Sequence, residues 1–126
     1  MIEKMKENTI YKLSKKFALR IIKLFEYLRN EKGEYVISKQ IYRSGTSIGA
    51  NVAESPFAQS DADYVHKLRI ALKEANETRY WLELLHESDK ITNSEYESLN
   101  NDLSTIIGTT VIIINKINNK IGEEEK

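Results

Sequence analysis

The sequence predicts an all-α protein folded as an antiparallel, up-and-down four-helix bundle. Apolar residues recur at spacings of three and four along most of the chain, which is the period of an amphipathic helix. The 126 residues include only one proline and five glycines, and no Pro- or Gly-rich stretch divides them. We therefore expect a single domain over residues 1–126, in which short connections make consecutive helices antiparallel neighbours.

The first helix is predicted over residues 9–30, ending before Gly33, a residue that favours the left-handed conformation after a helix. Its core stripe consists of Ile10, Leu13, Phe17, Ile21, Leu24 and Leu28. Ile22 and Phe25 belong to a second apolar set, which makes the apolar arc wider than a solitary bundle needs. A separate flank is cationic and is either a solvated helix face or a site for a polyanion; it comprises Lys12, Lys16, Arg20 and Lys23.

The second helix is predicted over residues 35–54, and it ends at Ser55-Pro56 because the residue before proline disfavours the α-helical conformation. Small residues lie between its core positions Ile41, Ile48 and Val52, so another helix can pack closely against it. The third helix is predicted over residues 61–87 with Ser60 as its N-cap. Its inner stripe is Tyr64, Leu68, Ala71, Ala75, Thr78, Leu82 and Leu85, and its second apolar set is Ile70, Trp81 and Leu84.

The fourth helix is predicted over residues 93–119, because Thr92 and Glu95 have the spacing of a capping box. Its core stripe is Tyr96, Leu99, Leu103, Ile107, Thr110, Ile114 and Ile117. The β-branched run at residues 109–114 resembles a strand locally, but the helical period continues through it and favours a helix. We expect the acidic tail, residues 122–126, to fray.

Composition and charge restrict the possible functions. Nineteen basic and nineteen acidic residues cancel, so the chain as a whole should attract nucleic acid only weakly. The distribution is uneven, with a net charge of +4 over residues 1–34 and −3 over residues 91–126. The absence of cysteine fits a cytoplasmic protein, and neither a signal peptide nor a membrane span is expected. The two histidines, His66 and His86, are twenty residues apart, so we expect no metal site and no cofactor.

Three segments carry a resemblance to a known family. Residues 40–55, from Gln40 to Ser55 with Ser47-Ile48-Gly49-Ala50-Asn51 at their centre, resemble the characteristic segment of the 23S rRNA intervening-sequence proteins, also called the S23 or four-helix-bundle protein family. Residues 60–64 resemble the start of the third helix of that family, residues 71–78 resemble its central portion, and residues 90–96 resemble the turn into its last helix. The resemblance implies a four-helix bundle assembled as a ring-like homopentamer.

The resemblance also suggests partners. The related accessory variability protein of diversity-generating retroelements binds a reverse transcriptase and nucleic acid, but it is strongly basic, whereas this chain is neutral. The partners that the resemblance implies are other copies of the chain and either RNA or a protein that handles nucleic acid. We expect a non-enzymatic interaction or scaffold protein, with Ile22, Ile70, Trp81 and Leu84 as the oligomer interface.

Three polar residues of the second helix, Arg43, Ser47 and Glu54, match polar positions of the family segment and lie along one helical face, with Asn51 at its edge. They form either a recognition surface or a polar network that ties the second helix to its neighbours, with Glu77 as a candidate partner of Arg43. An enzymatic alternative rests on Arg79 and His86, whose Arg-x6-His spacing resembles the loose motif of HEPN-type ribonucleases. Two turns apart on one helix, the arginine could stabilise phosphate charge while the histidine transfers a proton, without a metal.

Overall fold

The computed structural model describes the backbone of residues 2–125 and the side chains of residues 9–123. Within these residues the chain forms four α-helices and no strand, so the all-α prediction is confirmed. The helices are α1 (Ile2–Lys32), α2 (Ile37–Glu54), α3 (Asp61–Glu87) and α4 (Asn93–Glu125), and a single 3-10 turn (Ser55–Phe57) joins α2 to α3. None of the helices in this part of the chain combines the length and apolarity needed to cross a membrane.

The connection between α1 and α2 ends one helix and positions the next. Gly33 has a φ of +61°, the left-handed conformation expected of a glycine after a helix. The carboxylate of Glu34 accepts hydrogen bonds from the backbone N–H groups of Ser38, at 2.7 Å, and Val36, at 3.3 Å. Because Glu34 caps the helix from outside, α2 starts at Ile37, two residues later than predicted.

Side-chain caps define the starts of α3 and α4. The hydroxyl of Ser60 accepts a hydrogen bond from the Asp63 N–H at 3.0 Å, as an N-cap does. Thr92 and Glu95 form the predicted capping box, since the threonine hydroxyl accepts from the Glu95 N–H at 3.1 Å and the Glu95 carboxylate accepts from the Thr92 N–H at 3.0 Å.

The last helix is longer than predicted. It continues without interruption through the β-branched run and ends at Glu125 rather than near residue 119. Ile121 packs against the hydrophobic core, and this contact stabilises the final helical turns. Of the tail that was expected to fray, Lys126 lies outside the described residues, as do the side chains of residues 124 and 125.

The helices pack in a closed cycle. Helix α1 lies next to α2 and α4, and α3 lies next to α2 and α4, whereas within the described residues the backbones of α1 and α3, and those of α2 and α4, do not approach closely. Each helix therefore occupies a corner and buries one face towards a shared core. The largest fully buried side chains are Ile10, Phe17, Ile21, Leu28, Ile41, Ile48, Leu68, Leu82, Leu85, Leu103, Ile106 and Ile113.

Two of those residues, Ile106 and Ile113, were absent from the predicted stripe of α4. They lie beside the predicted positions Leu103 and Thr110 and widen the buried arc of α4, because this helix must contact both α1 and α3.

The small residues of α2 allow α1 to approach closely. A Cβ atom added to Gly45 would lie 2.8 Å from Cγ1 of Ile21, and one added to Gly49 would lie 3.4 Å from the Ser14 carbonyl oxygen. Ser44, one residue before Gly45, is also completely buried.

Candidate functional site

A charged cluster joins α2 to α3. The guanidinium of Arg43 forms ion pairs with the carboxylates of Glu74, at 3.2 Å, and Glu77, the partner that the sequence suggested. Glu77 also accepts a hydrogen bond from the indole N–H of Trp81 at 3.2 Å. The Arg43 side chain is 51% exposed and that of Glu74 only 15%, so the cluster lies at the rim of the α2–α3 contact.

Hydrogen bonding in this cluster favours the charged form of Arg43. The hydrogen bond to Glu74, followed by that to Glu77, raises the pKa of the guanidinium above its ordinary value. A folded-state pKa that is raised stabilises the fold at every pH below the ordinary arginine pKa, and this stabilisation is lost only in strong alkali. Arg43 is therefore a permanently charged link between the two helices.

A pair of buried hydroxyls lies beneath the charged cluster. Thr78 and Ser44, both completely buried, place their hydroxyl oxygens 2.9 Å apart. The Thr78 hydroxyl is also 2.8 Å from the Glu74 carbonyl oxygen one turn earlier, so it has an acceptor within its own helix. The pair satisfies polar groups in an otherwise apolar contact between α2 and α3.

The remaining polar residues of α2 do not extend this cluster. Ser47 donates to the Arg43 carbonyl oxygen at 2.6 Å, and Asn51 donates to the Ser47 carbonyl oxygen at 2.9 Å, so both bond within their own helix. Glu54 reaches α3, where its carboxylate lies 3.3 Å from the amino group of Lys67. Arg43 and Glu54, but not Ser47 or Asn51, thus carry the interhelical ion pairs.

The side of the molecule between α2 and α3 also carries apolar residues. We call it the α2–α3 face and define it by Arg43, Ile70, Glu74, Glu77, Trp81 and Leu84. Ile70 and Leu84 are half-buried and stand outside the hydrophobic core cluster of the described residues. Trp81, predicted as an interface residue, is also half-buried, but it packs partly against the core and donates to Glu77. Its role in the fold is therefore larger than the sequence indicated.

A second surface lies on the adjacent side of α2. We call it the α1–α2 face and define it by Ile22, Phe25, Arg29, Tyr35 and Tyr42. The rings of Phe25 and Tyr42 have centroids 4.8 Å apart. The Arg29 guanidinium lies 5.1 Å from the centroid of the Phe25 ring and 4.9 Å from that of Tyr35, both in cation–π range. Ile22 is half-buried and stands outside the core cluster.

The predicted cationic flank of α1 is only partly available. Lys12, Lys16 and Lys23 are exposed. Arg20 is engaged by α4 instead, because its guanidinium lies 2.6 Å from the Asp102 carboxylate and 2.9 Å from the Ser98 hydroxyl. Arg20 therefore also links α1 to α4, and binding of a polyanion at this flank stays a prediction.

A shallow cavity of about 390 Å³ opens beside this link; it is lined by Arg20, Lys23, Leu24, Tyr27, Glu95 and Leu99. The cavity is open to solvent, and its lining combines two basic residues with one acidic residue.

Arg79 and His86 both face α4. Arg79 donates to the Asn100 side-chain oxygen at 3.2 Å and to the Ser104 hydroxyl at 2.7 Å. The His86 ring stacks on that of Tyr96, with centroids 4.3 Å apart and planes 8° from parallel, and its Nε2 contacts the Asn93 side chain. Both side chains thus have partners on the neighbouring helix. Within the described residues no group of three His, Cys, Asp or Glu side chains could hold a metal ion.

Two features of these surfaces were missed by sequence reasoning. The first is Glu74 as a partner of Arg43, although its spacing of three residues from Glu77 places both carboxylates on one helical face. The second is the aromatic environment of Arg29. The spacing of four residues between Phe25 and Arg29 predicts their contact, but Tyr35 and Tyr42 join them only through the fold.

The fold and its surfaces define a small all-α protein whose polar residues serve mainly to join helices. The sequence profile of the 23S rRNA-intervening sequence protein family matches residues 6–111, so the chain belongs to that family. A solved structure similar to it is that of a protein of unknown function from the S23 ribosomal protein family of Bacteroides thetaiotaomicron VPI-5482. The two chains are 55% identical, with a TM-score of 0.86 over 87% of this chain and 98% of the other. No curated protein is significantly similar.

Proposed function

We propose that the protein is a non-enzymatic scaffold that self-associates and binds a partner, which is either RNA or a protein that handles nucleic acid. The observation that carries the proposal is the pair of surfaces flanking α2, where Ile22, Ile70 and Leu84 remain half-buried outside the core. Apolar surface that a single chain leaves partly exposed on adjacent sides is typical of interaction sites. The ring-like homopentamer of the family resemblance is the assembly we expect.

The proposal includes an antiparallel, up-and-down arrangement of the helices and a cytoplasmic location. Contacts across α2 and α3 support the arrangement, because Arg43 pairs with Glu77 near one end of the contact and Glu54 pairs with Lys67 near the other. Residue numbers therefore rise along α2 as they fall along α3. The lack of cysteine in all 126 residues fits a reducing compartment.

Light scattering tests the self-association. We expect a particle of about five protomer masses at micromolar concentration, since cyclic assemblies are closed and have a defined size. Replacing Ile70 with lysine on the α2–α3 face should reduce this mass. Ile112→Lys is the matched control, because Ile112 is 46% exposed on α4, away from α2. A wild-type monomer, or equal effects of the two substitutions, would refute the proposed interface.

The exposed lysines of α1 support the RNA branch of the proposal. Lys12, Lys16 and Lys23 are solvent-accessible cations on one flank of the helix. Converting all three to glutamine should weaken binding of single-stranded RNA. The slope of the logarithm of the binding constant against the logarithm of the salt concentration should become shallower by up to ~0.7 for each lost phosphate contact. The control converts three other exposed cations, Lys39, Arg69 and Lys73, to glutamine. Equal losses in both triple variants would argue against a specific flank.

The ribonuclease alternative requires a separate assay. Its candidate residues, Arg79 and His86, already have partners on α4, and no observation favours their use in catalysis over packing. Incubating RNA with the wild type and with His86→Ala discriminates the two functions. Cleavage that disappears in the variant would establish the enzyme and overturn the non-enzymatic proposal.

A further inference from the structure

The α1–α2 face contains a cation without a counter-ion. Arg29 lies between the rings of Phe25 and Tyr35 and forms no ion pair with any carboxylate of the described residues. Its Nη1 atom is buried and has no hydrogen-bond acceptor. The buried nitrogen itself lies out of reach of a second chain, but Arg29 as a whole is only half-buried, and its unbalanced charge attracts a carboxylate that a partner brings to its exposed side.

The α2–α3 face has the opposite imbalance. Two carboxylates, Glu74 and Glu77, share the single guanidinium of Arg43, which leaves one negative charge unmatched in the cluster. The cluster lies beside three half-buried apolar side chains, those of Ile70, Trp81 and Leu84, just as Arg29 lies beside aromatic rings. The two faces are thus alike in their apolar frame and opposite in their unmatched charge.

We infer that each face is the docking site of the other on a second copy of this chain, with Arg29 of one copy placed beside Glu74 and Glu77 of the next. This inference rests on the self-association proposed above and adds to it the two surfaces and the charge pairing that joins them. Complementary charges fix the register of an interface and disfavour wrong pairings. Pairing of either face with itself would bring like charges together.

The positions of the two faces determine the shape of the assembly. They meet along α2, which lies next to both α1 and α3, whereas the backbones of α1 and α3 do not approach closely in the described part of the chain. Docking one side of a four-cornered molecule onto the adjacent side of the next rotates each copy relative to the last, by about 90° for an ideal square and by about 72° in the five-membered ring proposed above. Repeated contacts of this kind close into a small ring instead of extending as a filament.

Charge reversal at Arg29 and Glu77, singly and then together in one chain, tests the pairing. Arg29→Glu has a defective α1–α2 face and an intact α2–α3 face, and Glu77→Arg has the reverse. We expect each variant alone to assemble at least tenfold more weakly than the wild type, as measured by light scattering over a concentration series. The double variant that carries both substitutions in one chain should recover the wild-type mass, because a reversed pair then meets at every contact of the ring, whatever its number of subunits.

The controls distinguish a failure of the Arg29–Glu77 pairing from a failure of self-association. Arg69→Glu and Glu83→Arg make the same charge changes at exposed positions of α3 outside both faces and should leave assembly unchanged. Circular dichroism verifies folding, and Arg29→Gln gives the same direction of effect should Arg29→Glu fail to fold. A monomeric wild type would refute self-association itself. An oligomeric wild type with folded single variants that keep its mass, or with a folded double variant that fails to recover it, would refute only the Arg29–Glu77 pairing.

Discussion

The close approach of α1 to α2 predicts opposite effects for two glycine-to-alanine substitutions. A Cβ on Gly45 would lie 2.8 Å and 3.0 Å from the two γ carbons of Ile21, whereas a Cβ on Gly108 has no heavy atom within 4 Å. Both glycines are inside helices, so each substitution gains about 1 kcal/mol of helix propensity. Ile21 is completely buried and β-branched, so its γ carbons cannot easily rotate away from a methyl group at Gly45.

Overpacking a filled core costs about 1–3 kcal/mol, which exceeds or cancels the propensity gain. Gly45→Ala should therefore lower the free energy of unfolding by about 0–2 kcal/mol, while Gly108→Ala should raise it by about 1 kcal/mol. For a chain of this length the melting temperatures of the two variants should differ by about 4–11 °C. Gly49→Ala should fall between them, because its Cβ would meet the Ser14 carbonyl oxygen at 3.4 Å.

Chemical denaturation at one common protein concentration measures these differences with the contribution of assembly held constant. If Gly45→Ala proved as stable as Gly108→Ala, the close packing of α2 on Ile21 would be wrong. A loss of stability in Gly108→Ala would instead indicate that α4 has an unrecognised contact at this exposed position.

Three further substitutions probe the links between helices. Thr78→Val keeps the shape of the buried side chain but leaves the Ser44 hydroxyl without its partner. We expect the free energy of unfolding in denaturant to fall by about 1–3 kcal/mol, whereas Thr105→Val, at an exposed position, should leave it almost unchanged. Thr92→Ala removes the N-cap of α4 and should cost about 1 kcal/mol, with Thr46→Ala as the control for an exposed hydroxyl that bonds only within its helix. Arg79→Gln should reduce thermal stability by releasing Asn100 and Ser104, and an unchanged melting temperature would contradict its proposed structural role.

Much of the fold follows from the sequence because it depends on local rules. The three-and-four spacing identified the buried face of α3, where all seven predicted inner residues are buried. The same applies to the caps, since Ser60 with Asp63 and Thr92 with Glu95 bond within a single turn. The errors occurred where a distant or terminal contact decides the result. Ile121 reaches the core and prolongs α4, and Ile106 and Ile113 are buried because α4 has two neighbours.

The charged surfaces depended on tertiary structure to a greater extent. Arg20 and Lys23 are three residues apart and indistinguishable by type and spacing, yet Asp102 of α4 neutralises Arg20 and leaves Lys23 exposed. The environment of Arg29 likewise requires Tyr35, which lies beyond the turn at Gly33.

The sequence alone therefore determined the class of this protein, because helical period, capping and small-residue packing are encoded by residues within a few turns of one another. Only the tertiary structure decided which polar and charged side chains bond to a neighbouring helix and which stay accessible to a partner. That choice depends on electrostatic and packing contacts between residues up to 82 positions apart, such as Arg20 and Asp102, and no local pattern records them.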